Sequence, residues 1–313
     1  MVLGLIQGLL LVPMAASGAD ARSCWLRDAV TPSANLTYAL CQQGDVLVTR
    51  DGGAKWTVQA TGAPGLLRAI AFPDTDRGFV VGDRGALLAT QDGAKTWKPQ
   101  PAGTTENLMA IQMVGEAAWI SGYDGVILHS TDAGRTWTKQ NSGVTQAIES
   151  LFFLDAGRGW AVGWAGTILL TTDGGKTWQQ IKTEAASWSL TSVYFRDAKD
   201  GWIAGFGGQF LHSTDGGLNW TAVTTPVKGW HTSVRFDQAN HGWVTADNGL
   251  LLSEDGGATW KPVPIDATIF VNRLVGAGGS LMVLGPFGMM RQQGTGLQWK
   301  KVDIPYVGDQ ETK

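Results

Sequence analysis

The chain has 313 residues, 24 Lys and Arg against 27 Asp and Glu, and 43% apolar residues. That apolar content excludes a disordered chain. The net charge of −3, with no basic run, excludes a general nucleic-acid binder.

Gly is used 43 times, about twice the ordinary frequency, and Trp 15 times, with 16% charged residues. Such a composition predicts an all-β protein dense in tight turns. In chain order, the first feature is the apolar run Val2–Val12, followed by "MAASGADA" with small residues at Ser17 and Ala19. This reads as a secretory signal over residues 1–19; the run is shorter than the ~20 residues a membrane span needs. Arg22 spoils "ARSC" as a lipidation signal. Cys24 and Cys41 follow, the two cysteines of the chain. A hairpin turning at "TPSA" (31–34) pairs residues whose numbers sum to 65, which sets Cys24 opposite Cys41. In an exported protein that predicts a disulfide.

From residue 49 onward one octet recurs: "TRDGGAKW", "TQDGAKTW", "STDAGRTW", "TTDGGKTW", "STDGGLNW" and "SEDGGATW". Its aspartates are Asp51, Asp92, Asp132, Asp173, Asp215 and Asp255, spaced 41, 40, 41, 42 and 40 apart; its tryptophans are Trp56, Trp97, Trp137, Trp178, Trp220 and Trp260. A seventh copy, "GTGLQW", keeps Trp299 and lacks the Asp. A second column, Tyr38, Phe79, Trp119, Trp160, Trp202 and Trp243, keeps the same period, with Leu281 or Met282 in its seventh place, and a Gly turn follows most of its members. Each unit therefore reads as four short strands with no helical periodicity. Such a unit is apolar on both faces and needs neighbours to cover them. Seven of them predict one all-β domain over residues 22–304, a seven-bladed β-propeller of four-stranded blades, with a tail at 305–313. The Asp–Gly octet has a structural task in this reading. Its carboxylate caps its own turn, its glycines supply positive φ, and its Trp packs between blades.

The octet resembles the Asp-box, or BNR repeat, of sialidases and sortilin-like propellers. Its pairing with "FLDAGRGWAVG" (153–163) and "FRDAKDGWIAG" (195–205) resembles the photosystem II stability and assembly factor family over about residues 24–304. The resemblance implies an exported propeller, periplasmic or in a thylakoid lumen. It would act without catalysis as an assembly, stability or scaffold factor for a membrane-protein complex, or as an accessory subunit of an envelope or transport complex. The four histidines (129, 212, 231, 241) form no metal pattern, the charge gives no nucleic-acid partner, no cofactor is expected, and no membrane span is expected once the signal is removed. Two further readings stay open on the sequence: a sialidase-like or carbohydrate-binding propeller, and a sortilin-like receptor holding a peptide in the central tunnel. Against catalysis, GxSxG, P-loop and HExxH motifs are absent, as is the sialidase "RIP" segment, and no catalytic residue is assigned.

Function is sought instead on the face of the Gly turns. Its tips and blade links carry Arg84, Tyr123, Trp164, Trp188, Phe206, Trp230 and Phe287. Aromatic residues and Arg at such tips point to an interface. Tyr123, Trp164 and Phe206, from three consecutive blades, are expected side by side. The assembly-factor family uses an arginine-rich patch against its client, and half of the twelve arginines lie before residue 85; Arg50 and Arg68 are the candidates taken from that cluster.

Overall fold

The computed structural model describes residues 24–247, 249–265, 270–276, 281–293 and 297–304. The leader assigned to 1–19 and the tail 305–313 lie outside them. Seven sheets of four antiparallel strands each follow one another along the chain, at 26–60, 67–99, 108–140, 148–180, 190–222, 231–263 and 273–302. Every sheet is built from four consecutive strands. First strands of successive sheets pack against each other, and the first strand of sheet seven returns to that of sheet one. The result is a closed seven-bladed propeller whose first strands line a central channel. Blade seven is the least regular, with a first strand of three residues, Arg273–Val275. Its member of the aromatic column is Met282, which pairs with Val275 as Trp243 pairs with Arg235.

The two repeating columns lock neighbouring blades together. Trp160 is fully buried in the second strand of blade four. Its indole stacks on Phe195 of blade five at 3.5 Å, and its Nε1 donates to the carbonyl of Gly216 in the Asp–Gly turn of blade five at 2.9 Å. Trp119 does the same one blade earlier, with Phe153 and the Gly174 carbonyl, and Tyr38 stacks on Phe72 and donates to the Thr75 carbonyl. Offset aromatic stacks of this kind add about 0.5–1.5 kcal/mol beyond the area they bury. The octet tryptophans meet the same phenylalanines edge-on, Trp178 against Phe153 and Trp220 against Phe195.

The Asp–Gly turns are self-contained clips. In blade four the Thr171 hydroxyl donates to Asp173 Oδ1 and accepts the N–H of Gly175. Asp173 Oδ1 also accepts the N–H of Thr177, and Oδ2 accepts the Thr177 hydroxyl at 2.6 Å. Blades two, three and six repeat the set, and blade five substitutes the Asn219 amide. The threonine hydroxyl, and then the backbone N–H, hold Asp92, Asp173 and Asp255 at about 2, below their ordinary 3.8; Asp132 is held lower still by the same donors. A depressed carboxylate contributes stability above its unfolded pKa and loses it as pH falls through the folded value. The melting temperature should therefore drop between pH 4 and pH 2. Asp173→Ala should melt lower at neutral pH and show a shallower acid drop in thermal melts followed by circular dichroism; parallel acid profiles would remove the turns as the cause.

The first hairpin departs from the expected register. β1 (Leu26–Ser33) runs through the expected turn, and β2 begins at Leu36, so the chain reverses at residues 34–35. Ser33 faces Leu36, Val30 faces Tyr38 and Leu26 faces Cys41, with one register shift between Ser33 and Val30 and another between Asp28 and Leu26. Cys24 lies beyond the last pair, and the Cys24–Cys41 disulfide is present, spanning 17 residues. Its removal should cost roughly 3 kcal/mol on the chain-entropy account. Thiol titration of the denatured, unreduced protein should find no free thiol.

Ring closure uses side chains. In blades five and six a Ser near the start of the first strand accepts a backbone N–H of the next blade, Ser192 from Val234 and Ser233 from Leu274. The same position is Asp28 in blade one, which accepts the N–H of Ile70 at 3.2 Å. In blade seven it is Arg273, which reaches forward across the seam to Asp28 Oδ1 at 3.0 Å. Arg291 adds a bond to Thr37. A cluster including Leu26, Cys41, Met282 and Met289 fills the seam.

Candidate functional site: the Gly-turn face

Antiparallel order sends the links between blades and the turns between second and third strands to one face, and the Asp–Gly turns to the other. The Gly turns are drawn tightly onto the following link. In blade four, Ala165 and Gly166 both take left-handed backbone, at φ 52° and 67°. A Cβ on Gly166 would stand 2.3 Å from the Ala186 carbonyl. Gly166 N–H donates to the Trp188 carbonyl and Trp164 N–H to the Ala147 carbonyl, both at 2.9 Å. The residue ahead of the left-handed pair is thereby held at the tip of a rigid turn.

Trp164 occupies that tip, exposed, with its Nε1 donating to Glu149 Oε1 at 2.7 Å. Tyr123, half-buried, holds the equivalent tip in blade three, its ring 5.4 Å from that of Trp164. Phe206, also half-buried, does not continue the row. It pairs instead with Trp230 at 5.0 Å, because the link into blade six brings Trp230 beside it. Gly207 leaves the space that the Trp188 indole fills, 3.2 Å from where a Cβ would sit. Phe287 is exposed and meets Phe270 edge-on at 5.7 Å. Trp188 and Trp230 are each 61% exposed, well beyond what a core aromatic shows.

The arginine candidates separate. Arg84 is exposed on this face, its N–H donating to Asn107. Arg68 stands near the channel mouth and is paired with Asp83 at 2.7 Å. Arg50 precedes an Asp–Gly turn and donates to the Gly93 carbonyl, so it belongs to the opposite face and does not join the others. Sequence reasoning passed over three exposed residues here, Trp25, Leu66 and Phe270. Trp25, Leu66, Trp230 and Phe270 hold one repeat position, just ahead of the first strand; alignment of that column would have found them.

The channel, about 290 Å³, is lined in part by Asp28, Gln112, Phe152, Arg235 and Arg273. Enclosure, and then the nearby Arg273, lowers the Arg235 guanidinium to about 10, so it stays charged at neutral pH. Part of its surface still opens to the lumen. Among the described residues no three His, Cys, Asp or Glu side chains are grouped to hold a metal ion, and no helix is long and apolar enough to cross a membrane.

The sequence pattern of the family described as "Photosynthesis system II assembly factor YCF48" matches residues 54–146 and again 137–229. The chain belongs to the YCF48 family. Its fold is similar to the structure described as YCF48 bound to D1 peptide, at 20% identity, 86% of this chain, 93% of that one and a TM-score of 0.72. It is also similar to YCF48 from Cyanidioschyzon merolae, at 22% identity, 79% and 87% coverage and a TM-score of 0.59. A GH74 xyloglucanase from Xanthomonas campestris shares the fold at 16% identity and a TM-score of 0.69, with 87% of this chain laid on 52% of that one. No curated protein matches the chain in sequence. The YCF48 matches to this chain begin inside blade one and end in the link after blade five, so they take in Tyr123, Trp164, Trp188 and Phe206.

Proposed function

We propose that this YCF48-family propeller is an exported, non-enzymatic assembly or scaffold factor for a membrane-protein complex, and that it engages its client with the Gly-turn face. One observation carries the reading. Of the large apolar side chains exposed among the described residues, Trp25, Leu66, Trp164, Trp188, Trp230, Phe270 and Phe287 lie on this face, and Val58, Leu218 and Leu297 lie elsewhere. Apolar surface gathered on one side marks an interaction site. A relative solved with a D1 peptide supports a peptide segment as the element recognised. The apolar run Val2–Val12, with small residues at Ser17 and Ala19 behind it, supports export if it serves as a leader.

The glycosidase neighbour supports the fold and does not extend to chemistry here. Glycoside hydrolysis ordinarily uses two carboxylates flanking one bond. Of the residues lining the channel Asp28 supplies one, already bound by Arg273 and the Ile70 N–H.

The test is capture from detergent-solubilised membranes on the immobilised protein, read by mass spectrometry. Trp164→Ser, Trp188→Ser and Trp230→Ser combined should reduce client capture more than about tenfold, since a true hot spot is worth ~2 kcal/mol or more, with the melting temperature little changed. Asp173→Ala should do the reverse. Full capture by the triple variant would refute the assignment of this face.

A further inference from the structure

We propose that the Gly-turn face also rests directly on a lipid bilayer, its ring of exposed tryptophans and phenylalanines entering the interfacial zone; this deepens the reading of that face as the client side. The first observation is geometric. Trp25, Leu66, Trp230 and Phe270 occupy one position of the repeat, so the pseudo-sevenfold arrangement sets them at one height. They come from the entries to blades one, two, six and seven. Trp164 and Trp188 fill the arc between blades four and five. The exposed apolar side chains thus spread in a wide arc around the channel mouth, with half-buried Tyr123 alone standing for blade three. A partner touching all of them at once must be flat and extended, which describes a bilayer better than the compact patch of an ordinary protein contact.

The chemistry agrees. Trp is the side chain most at home where hydrocarbon meets headgroups, its ring apolar and its N–H able to reach a polar partner. Exposed charges of both signs are interspersed on this face, Arg84, Lys182 and Lys228 with Asp124, Glu184 and Asp247. The opposite face carries the polar Asp–Gly turns, with Asp51, Lys55, Lys95, Arg135 and Lys176 exposed. The disc is therefore amphipathic across its thickness, and its adhesion does not call for an anionic lipid.

All seven sheets lie within residues 24–304, so the chain is tested from Asp20 onward, free of the apolar run. It is mixed with protein-free vesicles of phosphatidylcholine, alone or with added phosphatidylglycerol, and floated on a density gradient at low and high salt. The protein should float with both compositions at both salt levels. Brominated phosphatidylcholine should quench part of its Trp fluorescence. Trp25→Ser, Trp188→Ser and Trp230→Ser combined should weaken flotation at least about tenfold, since binding scales with the apolar area inserted, and cut the quenching with it, with the melting temperature little changed. The proposal is overturned if the parent stays at the bottom of the gradient, if it floats only with phosphatidylglycerol and is released by salt, or if the variant floats as well as the parent. The quenching of the parent decides the matter even where a variant fails to fold. Client capture in detergent contains no bilayer, so its loss leaves vesicle binding standing, and failed flotation leaves the client reading standing.

Discussion

Trp160→Ala should destabilise the propeller by about 3–5 kcal/mol, the range for removing a buried Trp, and lower the melting temperature by roughly 6–12 °C for a domain of this size. Three losses coincide. The cavity opens where no solvent reaches, since Trp160 is fully buried. The 3.5 Å stack on Phe195 disappears. The Gly216 carbonyl loses its donor, so the Asp–Gly turn of blade five is released from blade four. Trp160→Phe should keep most of the stack, omit the hydrogen bond and fall in between. Urea unfolding that left the alanine variant within 1 kcal/mol of the parent would show that the blades do not depend on this contact.

Arg273→Ala is the second large effect, expected at about 3 kcal/mol. Asp28 is almost fully buried, and Arg273 Nε donates to its Oδ1 at 3.0 Å. Removing Arg273 takes from that carboxylate the cation hydrogen-bonded to it, and breaking one side of a buried pair costs far more than replacing both sides. Combining Arg273→Met with Asp28→Asn should therefore restore much of the loss, because the asparagine oxygen can still accept the Ile70 N–H. A double variant no better than Arg273→Ala would mean that the seam needs the ion pair itself and not merely the absence of an orphaned charge.

The repeat was readable because its signals are local. An Asp with a Ser or Thr two residues before it and a Gly or Ala two residues after it closes its own turn, whatever lies around it, and recurs every 40 to 42 residues. What those residues touch was not readable. Trp160 meets Phe195, 35 positions on, and nothing local in either strand names the other. The first hairpin misled for a related reason: a symmetric count through "TPSA" assumes a regular ladder, whereas β1 runs on to Ser33, which faces Leu36 across a reversal at residues 34–35, and its register shifts twice. The disulfide was anticipated through a register the chain does not adopt. On the Gly-turn face, Trp164 and Phe287 were visible as aromatic tips. Leu66 and Phe270 looked like ordinary strand-entry residues until the fold showed them exposed. Arg50 and Arg68, grouped by sequence, are parted by the thickness of the disc.

Because each sheet is made from its own four consecutive strands, no blade depends on both ends of the chain. Each is a cassette, and the cut between first and last cassette is one of seven equivalent places to cut. Joining residue 304 to residue 24 through a short linker and opening the chain in the link at 101–107 would return all seven sheets with every strand in its present partnership. Both ends sit at one cluster, Cys24 within it and Ile304 packed against it, so the linker has little distance to cover. A propeller whose last sheet borrows a strand from the opposite terminus could not be permuted in this way without dividing a sheet. The same independence makes gain or loss of a whole 41-residue cassette the natural step by which such a ring changes size, and it confines the ring's weakest join to side chains: Arg273, Asp28 and their apolar neighbours.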